Sequence, residues 1–223
     1  MNKTDLIIIG SGPGGYRAAE YAAKNGLSVV MIEKDHIGGT CLNEGCIPTK
    51  TLCHQAKVID TLTDAENFGL SGMSYSIDFP KIMERKETVI YQLKNGIEVL
   101  MQQSGVTVIM GEARLKDEHT VSVGEEEYTA KNIIIATGSH AKMPLIEGID
   151  SDIVITSREL LHIHDIPKRL CIVGAGVIGM EFASVFSSFG SEVTVIEFLK
   201  ESLPVLDSDI AKRLRQTLAK RGV

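Results

Sequence analysis

One pattern is written twice in this chain. DLIIIGSGPGGYRAAEYAAKNGLSVVMIEK near the N-terminus and RLCIVGAGVIGMEFASVFSSFGSEVTVIEF over 169–198 each hold a short apolar run, a GxGxxG turn, a helical stretch, a glycine, a second apolar run and a glutamate. The spacing repeats too. Gly10 to Gly26 and Gly174 to Gly190 both span 16 positions, and Gly10 to Glu33 and Gly174 to Glu197 both span 23. A lone GxGxxG arises often by chance, whereas strand, glycine turn, helix and an acidic residue ~20 positions on make up the full context of a dinucleotide-binding unit. In such a unit the first glycine (Gly10, Gly174) permits the tight turn. The second (Gly12, Gly176) lets a pyrophosphate approach the backbone, and the third (Gly15, Gly179) lets helix pack on strand. The helix N-terminus that follows, with Gly14 in the first copy and Val177 and Ile178 in the second, offers unpaired N–H groups and a partial positive charge to phosphates. Gly26 and Gly190 fit the left-handed position that ends a helix. Glu33 and Glu197 can accept hydrogen bonds from a ribose diol. Two dinucleotides are therefore expected, one per copy.

This reading gives an α/β fold with two Rossmann-like dinucleotide-binding domains, the second incomplete. Between the copies, 51–67 and 81–103 read as helices, the latter on an amphipathic period through Ile82, Val89, Ile90, Leu93, Ile97 and Leu100. GVTVIMGEARL, HTVSV and EEEYTAKNIIIATGS read as strands, the last ending in an apolar run typical of a buried parallel strand. EGIDSD, 147–152, is the linker candidate, so the domains are expected at 1–148 and 149–223. The second then holds only strand, helix, strand and a helix over 207–221, little core for an open sheet. That shortfall gives the expectation of an N-terminal portion of a longer protein.

Charge and hydropathy exclude several classes of partner. With 29 acidic and 23 basic residues the net charge is -6 and no like-charged cluster forms a phosphate-binding patch, so no nucleic-acid partner is expected. The Leu6–Ile9 run is too short for a signal-peptide core, and no apolar stretch approaches a membrane span, so the expectation is a cytoplasmic protein with no membrane partner. In a reducing compartment its four cysteines are poor material for structural disulfides.

Two of them stand five positions apart in GGTCLNEGCIPTK, 38–50. A metal site is disfavoured, because C-x4-C supplies two ligands with no matching second pair and His36 and His54 lack zinc-ligand spacing; no metal is expected. In a regular helix, positions i and i+5 lie roughly 8.7 Å apart, beyond the reach of a bridge, so a disulfide here needs an irregular backbone. Gly45 and Pro48 supply that irregularity. Proline suits the first turn of a following helix, which puts Cys46 at or near a helix N-terminus, where a thiolate is stabilised.

GGTCLNEGCIPTK, the N-terminal GSGPGGY, ATGS at 136–139 and the second fingerprint GAGVIGMEFAS together resemble the dihydrolipoamide dehydrogenases, flavoproteins of the pyridine nucleotide-disulfide oxidoreductase family. The resemblance runs along essentially the whole chain. It implies FAD on the first copy, held by Gly10, Gly12, Gly14, Gly15, Glu33, Lys34, Gly39, Thr40, Ala113, Thr137, Gly138 and Ser139. It implies NAD on the second, held by Gly174, Gly176, Val177, Ile178, Gly179 and Glu197. Cys41 would be the interchange thiol and Cys46 the thiol against the flavin ring, the two forming the redox-active disulfide. Lys50 would sit by the flavin and pair with Glu181. Electrons would pass from dihydrolipoamide, or a dihydrolipoyl-bearing protein domain, to the disulfide, to flavin and to NAD+. The resemblance further implies a homodimer in full-length form, with a catalytic histidine from a C-terminal domain of the other subunit, so that the 223 residues alone would be inactive. None of this chain's six histidines has an acidic partner at a spacing that would orient it. Glutathione and mercuric reductases share the architecture but carry VNVGCVP where this chain has LNEGCIP. A non-catalytic flavin-binding module is the reading from another class, weighed against by the intact Cys41, Cys46 and Lys50. Cys53 and Cys171 read as packing residues, Cys171 in a buried strand.

Overall fold

The structure, a computed structural model, describes residues 2–223. The first apolar run forms strand β1 (Asn2–Ile9) and the run before Glu33 forms β2 (Val29–Glu33). Between them lies helix α1 (Pro13–Lys24), begun by a proline that suits a first turn and ended near Gly26 at φ +85°. Strands β3 (Thr107–Met110), β4 (Ala113–Leu115), β5 (Thr120–Val123) and β6 (Glu126–Ile135) complete a six-stranded sheet of order β3-β2-β1-β6-β5-β4. β3, β2, β1 and β6 run parallel, and β5 and β4 return antiparallel. Ile7 pairs with Val30 on one side and Ile133 on the other. Because successive side chains alternate, Leu6 and Ile8 pack with Ala19, Ala22, Met101 and Val106, while Ile7 packs with Val30, Ile32, Val121 and Tyr128.

The cysteine segment forms α2 (Gly39–Glu44) and the start of α3 (Cys46–Thr63). A single 3-10 turn, Ala65–Phe68, follows, and then the long α4 (Phe79–Gln103), which passes Gly96 unbroken. The second copy gives β7 (Arg169–Val173), α6 (Val177–Ser188) and β8 (Glu192–Ile196), after the one-turn α5 (Ser157–Leu160) and before α7 (Ser208–Lys220). β7 and β8 pair in parallel as a two-stranded sheet.

Two compact units result. Among the described residues one holds 2–47 and 88–149, the other 48–87 and 150–223. The 149/150 break falls within the linker read from the sequence, and the second unit also takes in most of α3 and the first third of α4. Its core joins Leu52, Ala56, Ile59, Phe79 and Ile82 to Phe182, Val185, Phe186 and Phe189, with edge-to-face ring pairs Phe79–Phe189 and Phe186–Phe189. Helices α3 and α4 thus supply the apolar cover that β7, α6 and β8 cannot make for themselves.

Three local expectations differ from what forms. Helix α3 runs from Cys46, the head that a first-turn Pro48 implies, to Thr63, and so starts and ends before the pattern read over 51–67. The apolar end of β6 is not buried: Ile135 is 63% exposed, at an end of the strand that pairs with β1 alone because pairing with β5 stops at Thr129. Cys171 is likewise exposed, because the two-stranded sheet leaves one face of β7 open.

Candidate functional site

Both glycine turns stand where a parallel strand feeds a helix. Gly10 has φ +101° and Gly174 φ +106°, the left-handed backbone that L side chains avoid. A Cβ on Gly15 would lie 1.9 Å from the Gly10 carbonyl oxygen, and one on Gly179 would lie 2.2 Å from that of Gly174, so the third glycines are required by packing. The second glycines are required by neither. Gly12 (φ -63°) and Gly176 (φ -73°) have ordinary extended backbone, and a Cβ on either would meet no protein atom closer than 4.0 Å. They leave a cradle that a side chain would fill. Each is also the N-cap of its helix with no side-chain cap, so the first-turn N–H groups of α1 and α6 face outward unclaimed by a capping residue. The residues present fit a dinucleotide pyrophosphate at each turn.

The acidic residues are tied to these turns. Glu33 is 8% exposed; its Oε2 accepts the backbone N–H (2.8 Å) and hydroxyl (2.7 Å) of Ser11, and its Oε1 accepts the Asp35 N–H (2.9 Å). Burial pushes the Glu33 carboxyl up, but the hydrogen bonds from Ser11, Asp35 and Lys34 outweigh it and hold the group below the usual glutamate range. Glu197 accepts the N–H of Ala175 (2.6 Å) and of Leu199 (2.8 Å), which also hold it low.

Gly38, at φ +95°, caps α2, and its N–H reaches Ser11. A Cβ on Gly39 would lie 2.7 Å from Gly12 Cα, so the thiol-bearing segment starts in backbone contact with the first glycine turn. Cys41 sits half-buried on α2. Gly45 (φ -147°, ψ -109°) breaks the helix, and a Cβ there would lie 2.9 Å from the Thr40 carbonyl oxygen and 3.4 Å from Cys41 Cα. Cys46 then opens α3, exposed, with both cysteines as thiols. The irregularity the spacing demands is thus present at the glycine that was expected to supply it.

Thr40, Lys34, Thr137, Gly138 and Ser139 are exposed, and Ala113 is half-buried at the head of β4. Thr137 to Ser139 follow β6 next to Ala136, whose carbonyl oxygen would lie 2.2 Å from a Cβ on Gly10, so they border the first turn. In the second unit, Lys50 Nζ forms an ion pair with Glu181, linking α3 to α6. Val177 and Ile178 stand exposed at the start of α6. Burial pushes the Cys53 thiol up, and the nearby Glu181 carboxylate pushes it further against a smaller pull from Lys50, so Cys53 is held protonated. His119 Nδ1 lies 3.1 Å from the Ala130 carbonyl oxygen and Nε2 lies 3.8 Å from Glu118 Oε1, a neighbouring acid that the sequence reading did not credit. It is level with Ala130, five residues and roughly 17 Å of strand before the end of β6 that borders the first glycine turn. Sequence reasoning also missed Ser11, a middle residue of the fingerprint whose only signal was a hydroxyl in a turn. Among the described residues no group of three or more His, Cys, Asp or Glu could hold a metal ion, and no helix is long and apolar enough to cross a membrane.

Residues 4–223 match the pyridine nucleotide-disulphide oxidoreductase family. The dihydrolipoyl dehydrogenase of Acholeplasma laidlawii is 46% identical over 98% of this chain and 67% of its own length, and that of Mycoplasma genitalium is 42% identical over 98% of this chain and 49% of its own. The HOCl-induced flavoprotein disulfide reductase RclA of Escherichia coli superposes with a TM-score of 0.85 at 36% identity, covering 98% of this chain and 48% of that one. The chain spans about half the length of most of the curated relatives it matches. With the family match covering nearly every residue, both glycine turns and the dithiol, the chain belongs to the pyridine nucleotide-disulphide oxidoreductases.

Proposed function

We propose that this chain is the FAD- and NAD-binding part of a dihydrolipoyl dehydrogenase, with residues 1–148 serving FAD and the dithiol and 149–223 serving NAD. The observation that carries the reading is the backbone contact between Gly39 and Gly12, because a dinucleotide lying on the first turn then reaches the segment that holds Cys41 and Cys46. FAD bound there would take up the electron pair and hand it on to NAD+. The chain's own residues perform the sulfur chemistry. A substrate thiolate attacks the Cys41 sulfur of the Cys41–Cys46 disulfide, forming a mixed disulfide and releasing Cys46 as thiolate. The second substrate thiol then displaces Cys41, leaving a cyclic substrate disulfide and two reduced cysteines. Cys46, exposed at the head of α3, is the sulfur released when Cys41 is attacked. Lys50, held by Glu181, places a cation one turn further along the same helix, on the flavin side in this reading. Thr40, Ala113, Thr137, Gly138, Ser139 and Lys34 line the FAD site. Glu197 accepts hydrogen bonds from a ribose diol and would repel a 2'-phosphate, which selects NAD over NADP.

The partner is a dihydrolipoyl group, free as the amide or carried on a protein domain, and the working form is a cytoplasmic homodimer in which another subunit supplies the base. The likeness to RclA supports a second reading, in which electrons run from a nicotinamide nucleotide to a disulfide. Anaerobic mixing of the FAD-loaded chain, and of a longer natural form, with dihydrolipoamide, reduced glutathione, NADH or NADPH separates the two. Fast flavin bleaching of the longer form by dihydrolipoamide and by NADH is the expected result. Equal bleaching by glutathione, or by NADPH, would contradict the proposal.

A further inference from the structure

The geometry points to Ser11 as a positioning residue of the first site: its buried hydroxyl orients the Glu33 carboxylate and pins the start of the thiol-bearing helix. This rests on the reading of the first turn as a dinucleotide site. Ser11 is 0% exposed. Its hydroxyl donates to Glu33 Oε2 at 2.7 Å and accepts the Gly38 N–H at 3.2 Å, while its carbonyl oxygen stands 3.2 Å from the same N–H. One side chain therefore joins the glycine turn, the acidic residue and the N-cap of α2, three residues before Cys41. Without the hydroxyl, Glu33 keeps the N–H donors of Ser11 and Asp35 but loses the short O–H contact that fixes which way Oε2 faces. The second copy has the control built in, because Ala175 occupies the equivalent position with only backbone groups to offer.

The hydroxyl also favours the charged form of Glu33, against the burial that disfavours it. Ionisable neighbours along the chain are Lys34, Asp35 and His36 on its own loop and Glu112 just beyond Gly111, whose N–H bonds the Glu33 carbonyl oxygen. None of them is changed by substituting Ser11.

The test compares the wild-type chain with Ser11→Ala and Ser11→Thr, each without cofactor. Carbon-13 NMR of glutamate carboxylates, with Glu33→Gln to assign the signal, reads the Glu33 midpoint. Timed alkylation followed by peptide mass spectrometry reads Cys41 relative to Cys46. Ser11→Ala is expected to raise the Glu33 midpoint and to raise the Cys41 to Cys46 labelling ratio about fivefold, the factor that goes with one net hydrogen bond. Ser11→Thr, which restores the hydroxyl, is expected to return both toward wild type. An unchanged midpoint or an unchanged labelling ratio in Ser11→Ala overturns the proposal, and so does a threonine variant that behaves like alanine. If the alanine variant fails to fold, a wild-type Glu33 midpoint at or above the ordinary glutamate range overturns it, and one below that range supports it. FAD binding is measured on the same samples, with roughly tenfold weakening expected in Ser11→Ala. Absence of FAD binding in the wild type would sink the dinucleotide reading, while the NMR and alkylation results would still decide the role of Ser11.

Discussion

The two glycine turns use one hydrogen-bond scheme and differ in what supports it. In each, the residue between the first two glycines gives its N–H to the glutamate 22 positions on, and its carbonyl oxygen receives an N–H from the loop that follows. In the first copy that loop residue is Gly38 at φ +95°, reinforced by the Ser11 hydroxyl. In the second it is Leu203, which donates to the Ala175 carbonyl at 2.9 Å while holding φ +52°. A leucine there costs about 1–2 kcal/mol of backbone strain. It is held because its side chain, 4% exposed, packs with Ala175, Met180, Ala211 and Leu218. The strands differ in the same sense. All five residues of β2 are buried within a six-stranded sheet, whereas β8, carrying a matching sequence, alternates between covered and exposed. The turn and its acid are local properties that a short sequence encodes, and the burial around them belongs to whatever the sheet joins.

The largest expected effect breaks the symmetry outright, since only the first copy adjoins a dithiol. In the longer natural form, Cys41→Ser and Cys46→Ser should each reduce dithiol-driven flavin reduction to background in stopped-flow absorbance. Long-wavelength absorbance beyond the flavin band should survive in Cys41→Ser and vanish in Cys46→Ser. The same spectrum in both would show that the two thiols are not differently placed.

Next in size is the contrast between cores. Phe186→Ala removes a fully buried ring from the aromatic core of the second unit and should cost about 3–5 kcal/mol in denaturant unfolding, while Ile8→Val in the aliphatic core of the first should cost about 0.5–1.5 kcal/mol. Comparable losses would mean that the cores are not organised as described. The strain at Leu203 predicts a smaller and inverted effect: Leu203→Gly should be more stable than Leu203→Ala by about 1 kcal/mol, the reverse of glycine's usual cost. Smallest of all is the response to pH. Both glutamates are held below their ordinary range, so their contribution is complete above the unfolded value near ~4.3 and is lost only as pH falls through the lower folded values. Dinucleotide binding to either copy, followed by fluorescence, should therefore be flat from neutrality down to about pH 5. A loss setting in nearer pH 6 would show that neither carboxylate is held as described.

Much of this was legible because it is periodic or steric. The matched offsets of Gly10, Gly15 and Glu33 with Gly174, Gly179 and Glu197 give the two strand-turn-helix units, and the C-x4-C spacing with Gly45 and Pro48 gives a broken helix with Cys46 at its head. Features set by tertiary company were not. Cys171 and Ile135 look buried by composition and are exposed, because whether an apolar strand is covered depends on residues far away in sequence. Helices α3 and α4 join the second unit through Leu52, Phe79 and Ile82, which a boundary drawn from linker composition does not reveal. Ser11 was invisible because its importance lies in a hydroxyl reaching 22 and 27 positions along the chain.

The most direct measurement uses the glycines that no protein atom explains. Gly12→Ala places a methyl group in ordinary contact with Gly39 Cα at 4.0 Å and Gly176→Ala places one in open space, so both variants should fold with wild-type stability. Titration of each with FAD and with NAD, by flavin fluorescence and calorimetry, then asks which turn holds which ligand. Two separate dinucleotide sites predict that Gly12→Ala weakens FAD roughly tenfold or more and leaves NAD unchanged, with the reverse in Gly176→Ala. Unaltered FAD affinity in Gly12→Ala, or the same loss in both variants, would contradict it.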